Sequence, residues 1–283
     1  MSNQTEVVAE PSDVKKIKVA AIVEYHGAHF HGWQRQNNHP EPTIQAALET
    51  ALSKIANEPI SIVCAGRTDA GVHASTQVIH FETTAKRKPH NWVRGTNTQL
   101  PTGIAVRWIS EVDSEFHARF SATSRRYRYL IYDNPIKQAL LHDQLTWSRF
   151  PLNEDAMHQA AQSLLGENDF TSFRAKDCQS HSPFRNIHNI SVKRFSDIVM
   201  IEVQANAFLY HMIRNIAGVL MPIGVGREPI EWCSQLLAQK DRSKAGITAP
   251  ADGLYFVGVE YPAHFNIPSQ AWGPVFVEPW LCK

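Results

Sequence analysis

The sequence predicts an α+β fold with an antiparallel sheet, and three observations lead to that prediction. The chain has 283 residues, of which 43% are hydrophobic, so it is long enough for about two domains with a sizeable core. Strand-like and helix-like segments follow one another irregularly, whereas a parallel α/β fold would alternate them strictly. No segment is repeated along the chain. We therefore expect a disordered tail (residues 1–16), an N-terminal α+β domain (17–113), a C-terminal α+β domain (114–265) and a C-terminal tail (266–283).

The first half begins with a strand at residues 17–24, where the sequence is IKVAAIVE. Thr43 can then cap a helix, because a threonine hydroxyl accepts a hydrogen bond from the first helical turn. The apolar residues that follow recur with the spacing of one helical face: Ile44, Ala47, Leu48, Ala51, Leu52 and Ile55. Shorter patterns predict strands at residues 60–64, 77–81 and 104–112, with a helix near Trp92.

The second half starts with a strand at residues 125–132. Asn153 then caps a helix with one apolar face, made of Ala156, Met157, Ala160, Ala161, Leu164 and Leu165. Two strands (187–195 and 198–203), a long helix from about Ala207, a shorter helix from Pro229 and a closing strand (254–260) complete the pattern.

Composition excludes several classes of protein. There are 28 Lys and Arg residues against 27 Asp and Glu residues, a net charge of +1, which excludes a uniformly basic surface but not a single basic groove. The four cysteines are widely separated, so a disulfide framework or zinc knuckle is not expected and a reducing compartment fits better. The first ten residues are polar and acidic, unlike a signal peptide, and no apolar run has the length of a membrane span. We expect a cytoplasmic globular protein.

The most unusual segment is residues 64–74, CAGRTDAGVHA, which lies between two predicted strands. Two glycines bracket a charged stretch, and glycines allow the sharp backbone turns that present a side chain from the end of a sheet. A phosphate-binding loop is excluded, because Val72 and His73 stand where Lys and Ser or Thr would be required. On residue types alone, the segment is equally well a connecting turn in which Asp69 pairs with the neighbouring Arg67.

Strand 125–132 interleaves arginine and tyrosine. Residues alternate between its two faces, so Arg125, Tyr127 and Tyr129 share one face while Arg126 and Arg128 share the other. Such a strand can bind phosphates and stack on unpaired bases. It can equally be a half-exposed structural strand whose arginine stems pack over aromatic rings.

The helix predicted from Ala207 is apolar on most of its circumference, and its polar residues fall in one narrow stripe: His211, Arg214, Asn215 and Gly218. A buried arginine needs a carboxylate or phosphate partner, although Arg214 could instead emerge into water.

His26, His29 and His31 lie close together in sequence, but no motif with metal-ligand spacing accompanies them, so we expect no metal. The basic run at residues 86–88 is typical of a solvated turn, or could line an RNA path.

An ordered set of motifs resembles the tRNA pseudouridine synthase A family over roughly residues 17–265. The motifs are GWQRQ (32–36), GRTDAGVHA (66–74), FHARFSA (116–122), RRYRY (125–129), GENDF (166–170), NAF (206–208) and HMIRN (211–215). One position departs from the family pattern, since His26 stands where the family usually has Asp.

The resemblance implies two ferredoxin-like (RRM-like) halves with joined, mainly antiparallel sheets and an active site between them. It implies an enzyme that isomerises uridine to pseudouridine at three adjacent positions on the 3′ side of the tRNA anticodon stem-loop, as a homodimer. It also implies that Asp69 is catalytic, that Tyr127 stacks on the target uracil and that Arg214 pairs with Asp69. Arg67 would occupy or support the space that the extruded base leaves.

No cofactor or metal is expected, because the reaction is neither a redox reaction nor a hydrolysis. Two other functions remain open on residue types alone: an RNA-binding module in which Asp69 is structural, and a metal-dependent hydrolase that uses the histidines. The sequence leaves open whether Asp69 attacks the ribose C1′, adds to the base or removes the C2′ proton.

Overall fold

The computed structural model describes residues 15–36, 41–269 and 271–281. The predicted disordered tail, residues 1–16, lies outside the described residues except for its last two positions. The strands of the described chain are β1 (Ile17–Tyr25), β2 (Val63–Cys64), β3 (His73–Thr83), β4 (Ile104–Val112), β5 (Ser124–Asp133), β6 (Thr146–Ser148), β7 (Gly166–Asp169), β8 (Phe184–Phe195), β9 (Ile198–Ala205) and β10 (Leu254–Glu260). Its α-helices are α1 (Ile44–Ala56), α2 (Pro89–Gln99), α3 (Glu154–Ala161), α4 (Met212–Gly224), α5 (Trp232–Gln239) and α6 (Glu278–Leu281).

All ten strands belong to one sheet, whose main path runs β4-β1-β3-β10-β5-β9-β8-β7, with β2 paired to β3 and β6 paired to β5. Every pairing is antiparallel except β10 with β3 and β5 with β6. The prediction of mixed helices and strands around a mainly antiparallel sheet is therefore confirmed. The division into two ferredoxin-like halves stays a prediction.

Strand β10 joins the two parts of the sheet. It lies between β3 and β5, and Phe256 is in register with Ala74 on one side and with Tyr127 on the other. Residues distant in sequence thereby become neighbours across three adjacent strands. The join therefore places Ala74 of β3 and Tyr127 of β5 on either side of Phe256.

The larger core lies under the helices and runs continuously through both halves of the sheet. The alternation predicted for residues 125–132 is observed, since Tyr127, Tyr129 and Ile131 belong to this core. Leu130 belongs to a smaller cluster with Met200, Tyr255 and Val277. Part of the predicted C-terminal tail therefore packs on the sheet.

Both predicted helix caps occur as expected. The Thr43 hydroxyl accepts a hydrogen bond from the Ala46 N–H at the start of α1. The Asn153 side chain accepts one from the Ala156 N–H at the start of α3. A short polar residue before an apolar helical pattern therefore fixed both helix starts.

The helix predicted from Ala207 is wrong at its start, because α4 begins at Met212. The Asn206 side chain accepts the Ala207 N–H at 2.8 Å, which holds the preceding segment as a loop. His211 has a φ of 58°, in the left-handed region, and a right-handed helix cannot pass through such a residue. The strand predicted at 60–64 is shorter, Val63–Cys64, and the one predicted at 77–81 is longer, His73–Thr83.

None of the helices in the part of the chain that the structure describes has both the length and the apolar character needed to cross a bilayer.

Candidate functional site

Asp69 lies in the connection between β2 and β3, which we call the Asp69 loop (residues 65–72). Polar side chains of the neighbouring strands hold this loop in place. The Gln77 amide nitrogen donates to the Gly66 carbonyl at 2.6 Å, while the Gly66 N–H donates to the Gln77 side-chain oxygen at 3.4 Å. A hydrogen bond of 2.8 Å joins the hydroxyls of Tyr25 and Thr68. The loop is therefore fixed on both sides of Arg67.

The GWQRQ motif packs against the same loop. The Trp33 N–H donates to the Thr68 carbonyl at 3.0 Å. Gly32 has a φ of 80°, and a Cβ there would lie 2.9 Å from the Thr68 carbonyl oxygen and 3.0 Å from the Ala70 nitrogen. Only glycine combines this backbone conformation with such a close approach. The motif thus acts as a support for the Asp69 loop.

His73 secures the end of the loop at the start of β3. Its Nδ1 accepts a hydrogen bond from the Gly27 N–H at 3.0 Å, so its Nε2 carries the proton and donates to the carbonyls of Asp143 (2.8 Å) and Asp252 (3.0 Å). Burial, and then the nearby His26, lower the pKa of His73 to about 4. The imidazole is therefore neutral at pH 7 and acts as a structural connector.

The Asp69 carboxylate meets two side chains through one oxygen. Its Oδ2 lies 3.2 Å from His211 Nε2 and 3.4 Å from Arg214 Nη1. All three side chains are mostly buried, with exposed fractions of 22% for Asp69, 23% for His211 and 17% for Arg214. The alternative in which Asp69 pairs with Arg67 is wrong.

Arg214 is held in place by the segment around residues 247–249, which crosses α4. Its Nε donates to the Ala249 carbonyl at 2.8 Å, and the Ala249 N–H donates back to the Arg214 carbonyl at 3.1 Å. Gly218, one turn further along α4, allows this crossing, because a Cβ there would lie 1.9 Å from the Ile247 carbonyl oxygen. The helix thus presents Arg214 to Asp69 in a fixed orientation.

His211 immediately precedes α4, and its ring packs against that of Tyr210 with centroids 4.0 Å apart. Three charged groups act on it: Asp69 raises its pKa, while Arg214 and Arg242 lower it. Burial is the largest effect, and the pKa of His211 is lowered overall. The imidazole is therefore neutral at pH 7, with its Nε2 in contact with the carboxylate.

Tyr127 lies beneath the Asp69 loop. Its ring stacks on Phe256 with centroids 4.6 Å apart and planes at 19°, and Phe208 meets it edge-on at 5.1 Å. A Cβ on Gly66 would lie 3.5 Å from the Tyr127 hydroxyl oxygen, which places that hydroxyl at the loop. Burial above all raises the pKa of Tyr127, so the hydroxyl remains protonated at neutral pH.

Arg67 stands apart from the other candidate residues. It is exposed, and its guanidinium makes no hydrogen bond or ion pair with any residue that the structure describes. The structure therefore brings Asp69 and Arg214 together, places Tyr127 below the loop that carries them and leaves Arg67 directed to solvent.

The arginines of β5 are engaged inside the protein. Arg125 donates to the carbonyls of Ala65, Arg119 and Asn206. Arg126 and Arg128 both pair with Glu202, at 3.1 Å and 2.7 Å. The interpretation of these arginines as a phosphate-binding face is therefore wrong for Arg128, which is 5% exposed, and the strand is chiefly structural.

The remaining sequence candidates do not converge on this site. His31 pairs with Glu41 at 3.2 Å, and His26 packs against His73 with ring centroids 4.6 Å apart. Among the described residues there is no group of three or more His, Cys, Asp or Glu that could hold a metal ion. Residues 86–88 are exposed and lead into α2.

Sequence reasoning missed several residues that build the site: Tyr25, Gln77, His211 and Ala249. His211 was detectable, because it lies three residues before Arg214 in the predicted polar stripe. The others carry no local signal, since each acts on a residue at least 11 positions away.

Comparisons with known proteins found a matching family model and similar sequences. A family model described as tRNA pseudouridine synthase matches residues 21–121 and 160–262. A Photorhabdus laumondii protein named tRNA pseudouridine synthase A is 55% identical over 261 residues, covering 92% of this chain and 98% of its own length. Proteins of the same name from Cronobacter sakazakii (52% identical, 95% of this chain and 99% of that protein) and Shewanella piezotolerans (53%, 92% and 99%) are similar over nearly the full chain.

Proposed function

The chain belongs to the tRNA pseudouridine synthase family and is an isomerase, and from that premise we propose that Asp69 is its catalytic residue and the 3′ side of the tRNA anticodon stem-loop its target. One observation carries the assignment of Asp69. Its Oδ2 accepts a hydrogen bond from Arg214 and lies 3.2 Å from His211 Nε2, on a loop that buried side chains fix at the end of a strand.

The reaction requires an ionised oxygen at the nucleotide. The bond between N1 of uracil and C1′ of ribose breaks, the detached uracil turns, and C5 forms a new bond to C1′. The C5 hydrogen leaves as a proton, and N1 takes up a proton in place of its bond to ribose. Such chemistry needs a carboxylate within about 3 Å of the reacting atom. The Arg214 guanidinium lies 3.4 Å from Oδ2 of the Asp69 carboxylate. The net reaction is an isomerisation, so it consumes no oxidant, reductant or water.

Tyr127 serves as the platform for the uracil. Phe256 already supports one face of the ring, and this stacked pair is rigid, because both residues lie on adjacent strands. A base that stacks on an aromatic ring gains about 1–3 kcal/mol. The Tyr127 hydroxyl stays protonated, which suits a ring that orients the base.

Arg67 acts on the RNA. A uridine within a stem must leave the base stack before reaction, at a cost of a few kcal/mol. Arg67 is exposed and donates to no group within the described part of the chain, so its guanidinium is available to occupy the space that the base vacates. We assign this role to Arg67 because it lies two residues before Asp69 on the same loop.

The partner assignment follows the family resemblance. The protein acts as a homodimer that binds one tRNA with both subunits. Sedimentation of the protein alone and with an excess of tRNA tests this: a dimer with one tRNA supports it, and a monomer with one tRNA contradicts it.

Tritium release tests the function. A tRNA transcript carrying uridine labelled with tritium at C5 loses tritium to water only when C5 becomes bonded to ribose. The matched control is the same transcript with the three target uridines replaced by cytidine and their stem partners changed to keep pairing. We expect release from the first transcript and none from the second.

Other results would contradict parts of the proposal. Equal release from both transcripts would place the target elsewhere in the tRNA. Binding of tRNA without any release would favour an RNA-binding module in which Asp69 is structural.

A further inference from the structure

An exposed aromatic side chain lies beside the proposed catalytic site. Phe120 belongs to the FHARFSA motif (116–122) between β4 and β5, and it is 75% exposed. Two other residues of the motif, Phe116 and Ala118, are completely buried, so the segment itself is well packed. Single exposed apolar side chains are common, and the surroundings of Phe120 decide whether it has a role.

The turn that carries Phe120 is held by its own hydrogen bonds. His117 Nδ1 accepts from the N–H groups of Arg119 and Phe120, both at 3.2 Å, and the Ser121 N–H donates to the His117 carbonyl at 2.9 Å. The His117 ring also stacks on the Phe120 ring, with centroids 4.4 Å apart and planes at 28°. The exposed ring is therefore ordered before any ligand binds, which lowers the entropy cost of binding.

Arg125 ties this turn to the Asp69 loop. Its Nη2 donates to the Arg119 carbonyl at 2.5 Å and to the carbonyl of Ala65, the first residue of the loop, at 3.3 Å. Its Nη1 donates to the Asn206 carbonyl at 2.8 Å, in the segment that leads to α4. One guanidinium thus sets the turn against both segments that supply the proposed catalytic site.

Two exposed cations lie on the same side of the molecule as the ring. The Arg119 guanidinium is 5.5 Å from the Phe120 ring centroid, and it makes no hydrogen bond or ion pair with any residue that the structure describes. Burial raises the pKa of the Cys64 thiol, and both Arg67 and Arg119 oppose that rise, so both lie near the end of β2. An aromatic ring beside unpaired arginines suits RNA, because rings stack on bases and arginines bind phosphates. An apolar protein surface would leave these charges unpaired.

We propose that Phe120 and Arg119 form a second RNA contact beside the catalytic site: the Phe120 ring stacks on an unpaired base of the anticodon loop, and Arg119 binds a phosphate of the same strand. This inference rests on the proposed function, because it takes the anticodon arm as the bound RNA. His117 covers one face of the ring, so the base stacks on the exposed remainder. Bases of a loop can stack on a side chain in this way, whereas paired bases of the stem cannot.

A binding cycle tests the stack. Phe120→Leu removes the ring and keeps apolar bulk, whereas Phe120→Tyr keeps the ring. Each protein is titrated by filter binding with intact tRNA and with tRNAs assembled by ligation, in which one anticodon-loop base at a time is replaced by an abasic nucleotide. Thermal unfolding of each variant verifies that it is folded.

Phe150→Leu is the matched control. Phe150 is also an exposed phenylalanine with a guanidinium over its ring, that of Arg227 at 4.6 Å. The Asn153 N–H donates to the Gly224 carbonyl at 2.8 Å, which places this loop at the last residue of α4. Helix α4 presents Arg214 from its first turn, so the control has the same chemistry at the opposite end of the helix.

We expect Phe120→Leu to bind intact tRNA roughly fivefold to a hundredfold more weakly than the wild type, the loss typical of one base–aromatic stack. Phe120→Tyr and Phe150→Leu should bind like the wild type. At one loop position, the abasic nucleotide should weaken binding by the wild type but not by Phe120→Leu, since the ring and the base then act as one interaction. Arg119→Gln should reduce the slope of log affinity against log salt by roughly 0.7–0.9, and Phe120→Leu should leave it unchanged.

Other results overturn the inference. Phe120→Leu might bind intact tRNA like the wild type, or its loss could be the same with every abasic tRNA; either result shows that the ring stacks on no loop base. Normal tRNA affinity with altered sedimentation of Phe120→Leu would assign the ring to a contact between copies of this chain instead.

Tritium release from intact tRNA by the wild type and by Asp69→Asn is measured in parallel. Release by the wild type alone supports the proposed function independently of the binding cycle. Release by both proteins contradicts the catalytic assignment of Asp69, while the binding cycle still decides the role of Phe120.

Discussion

The Asp69 loop and strand β5 carry similar residues to the same site but use their charges differently. Among the residues that the structure describes, Arg67 in the loop is exposed without a side-chain partner, and Asp69 Oδ1 has no hydrogen-bond donor. In β5, Arg125 binds backbone carbonyls, one of them Ala65 of the loop, and Arg128 is buried against Glu202.

This difference shows how to distinguish functional from structural arginines. Both regions carry arginine, and residue type alone does not tell the two uses apart, so the partner of each guanidinium separates them. An arginine whose donors are satisfied within the protein contributes to stability, because removing it leaves a buried carboxylate or carbonyl unpaired. An arginine without such a partner is available to a ligand. The two regions should therefore fail in different ways when altered.

The largest effect is expected in the loop. Asp69→Asn preserves shape and removes the charge, and Asp69→Glu preserves the charge and displaces it by one methylene. Both should lower the single-turnover rate of tritium release by at least about a thousandfold. Affinity for tRNA should change little, because phosphate contacts supply most of it.

Filter binding at fixed salt accompanies the rate measurement. Pseudouridine formation by Asp69→Asn would contradict the proposed mechanism. A folded Asp69→Asn protein that no longer binds tRNA would show that the carboxylate also contributes to binding.

In β5 the effect should fall on stability. Arg128→Met removes the partner of Glu202 and should lower the free energy of unfolding by about 3 kcal/mol, near the lower end of the range for a broken buried pair because Arg126 still contacts Glu202. Urea titration at pH 7 measures it. Arg67→Met is the matched control and should unfold at the wild-type midpoint, since Arg67 is exposed and its guanidinium contacts no described side chain or carbonyl. Equal destabilisation by the two substitutions would erase the distinction between the regions.

Tyr127 belongs to strand β5 in sequence, but its hydroxyl lies against the Asp69 loop, so its substitution should affect activity. Tyr127→Phe keeps the ring on Phe256 and should keep most of the activity. Tyr127→Leu keeps apolar bulk without a ring, and should weaken productive binding by about 1–3 kcal/mol if stacking is its role. Single-turnover rates over a range of enzyme concentration separate binding from chemistry. A Phe variant that binds normally yet releases no tritium would assign the hydroxyl a role in proton transfer.

The smallest effect concerns the support of the loop by His73. Its pKa of about 4 lies below the ordinary value of 6.5, so the folded state favours the neutral ring. That stabilisation is complete above pH 6.5 and is lost as the pH falls towards 4, by about 2 kcal/mol between pH 7 and pH 5. Urea unfolding of His73→Gln should show a correspondingly weaker pH dependence over that interval, whereas exposed His90→Gln should leave the dependence unchanged. An unchanged slope in His73→Gln would show that His73 is not the titrating group.

Local features of this fold were predictable because their causes lie within a few residues. Thr43 and Asn153 cap the helices that their apolar periodicity indicates, and the alternation in β5 assigns Tyr127 and Leu130 to opposite faces. The roles expected for Asp69 and Arg214 came instead from the resemblance of an ordered set of motifs. The helix caps and the strand alternation needed only residue type and short-range geometry.

Long-range features were not predictable from local patterns. Arg128 meets Glu202, 74 positions away, and nothing near either residue in sequence indicates the pairing. The start of α4 was predicted five residues too early, because the apolar period continues through a segment that Asn206 and the left-handed His211 keep out of the helix. Such features depend on which groups, distant in sequence, form the hydrogen bonds and ion pairs of each polar side chain.

The place of β10 in the middle of the sheet also determines how the molecule must fold. Tyr255 pairs with His73 although 182 positions separate them, so the central strand is the last to be synthesised among those described. Until it arrives, β3 and β5 each present an unpaired edge, and open edges invite association between chains. Pairings this distant in sequence also slow folding, because closing a large loop costs entropy before the paired strands gain any favourable contact. A nascent chain that has passed the ribosome only as far as α5 would therefore hold Asp69 and Tyr127 on separate edges, and the site would form only when the central strand enters between them.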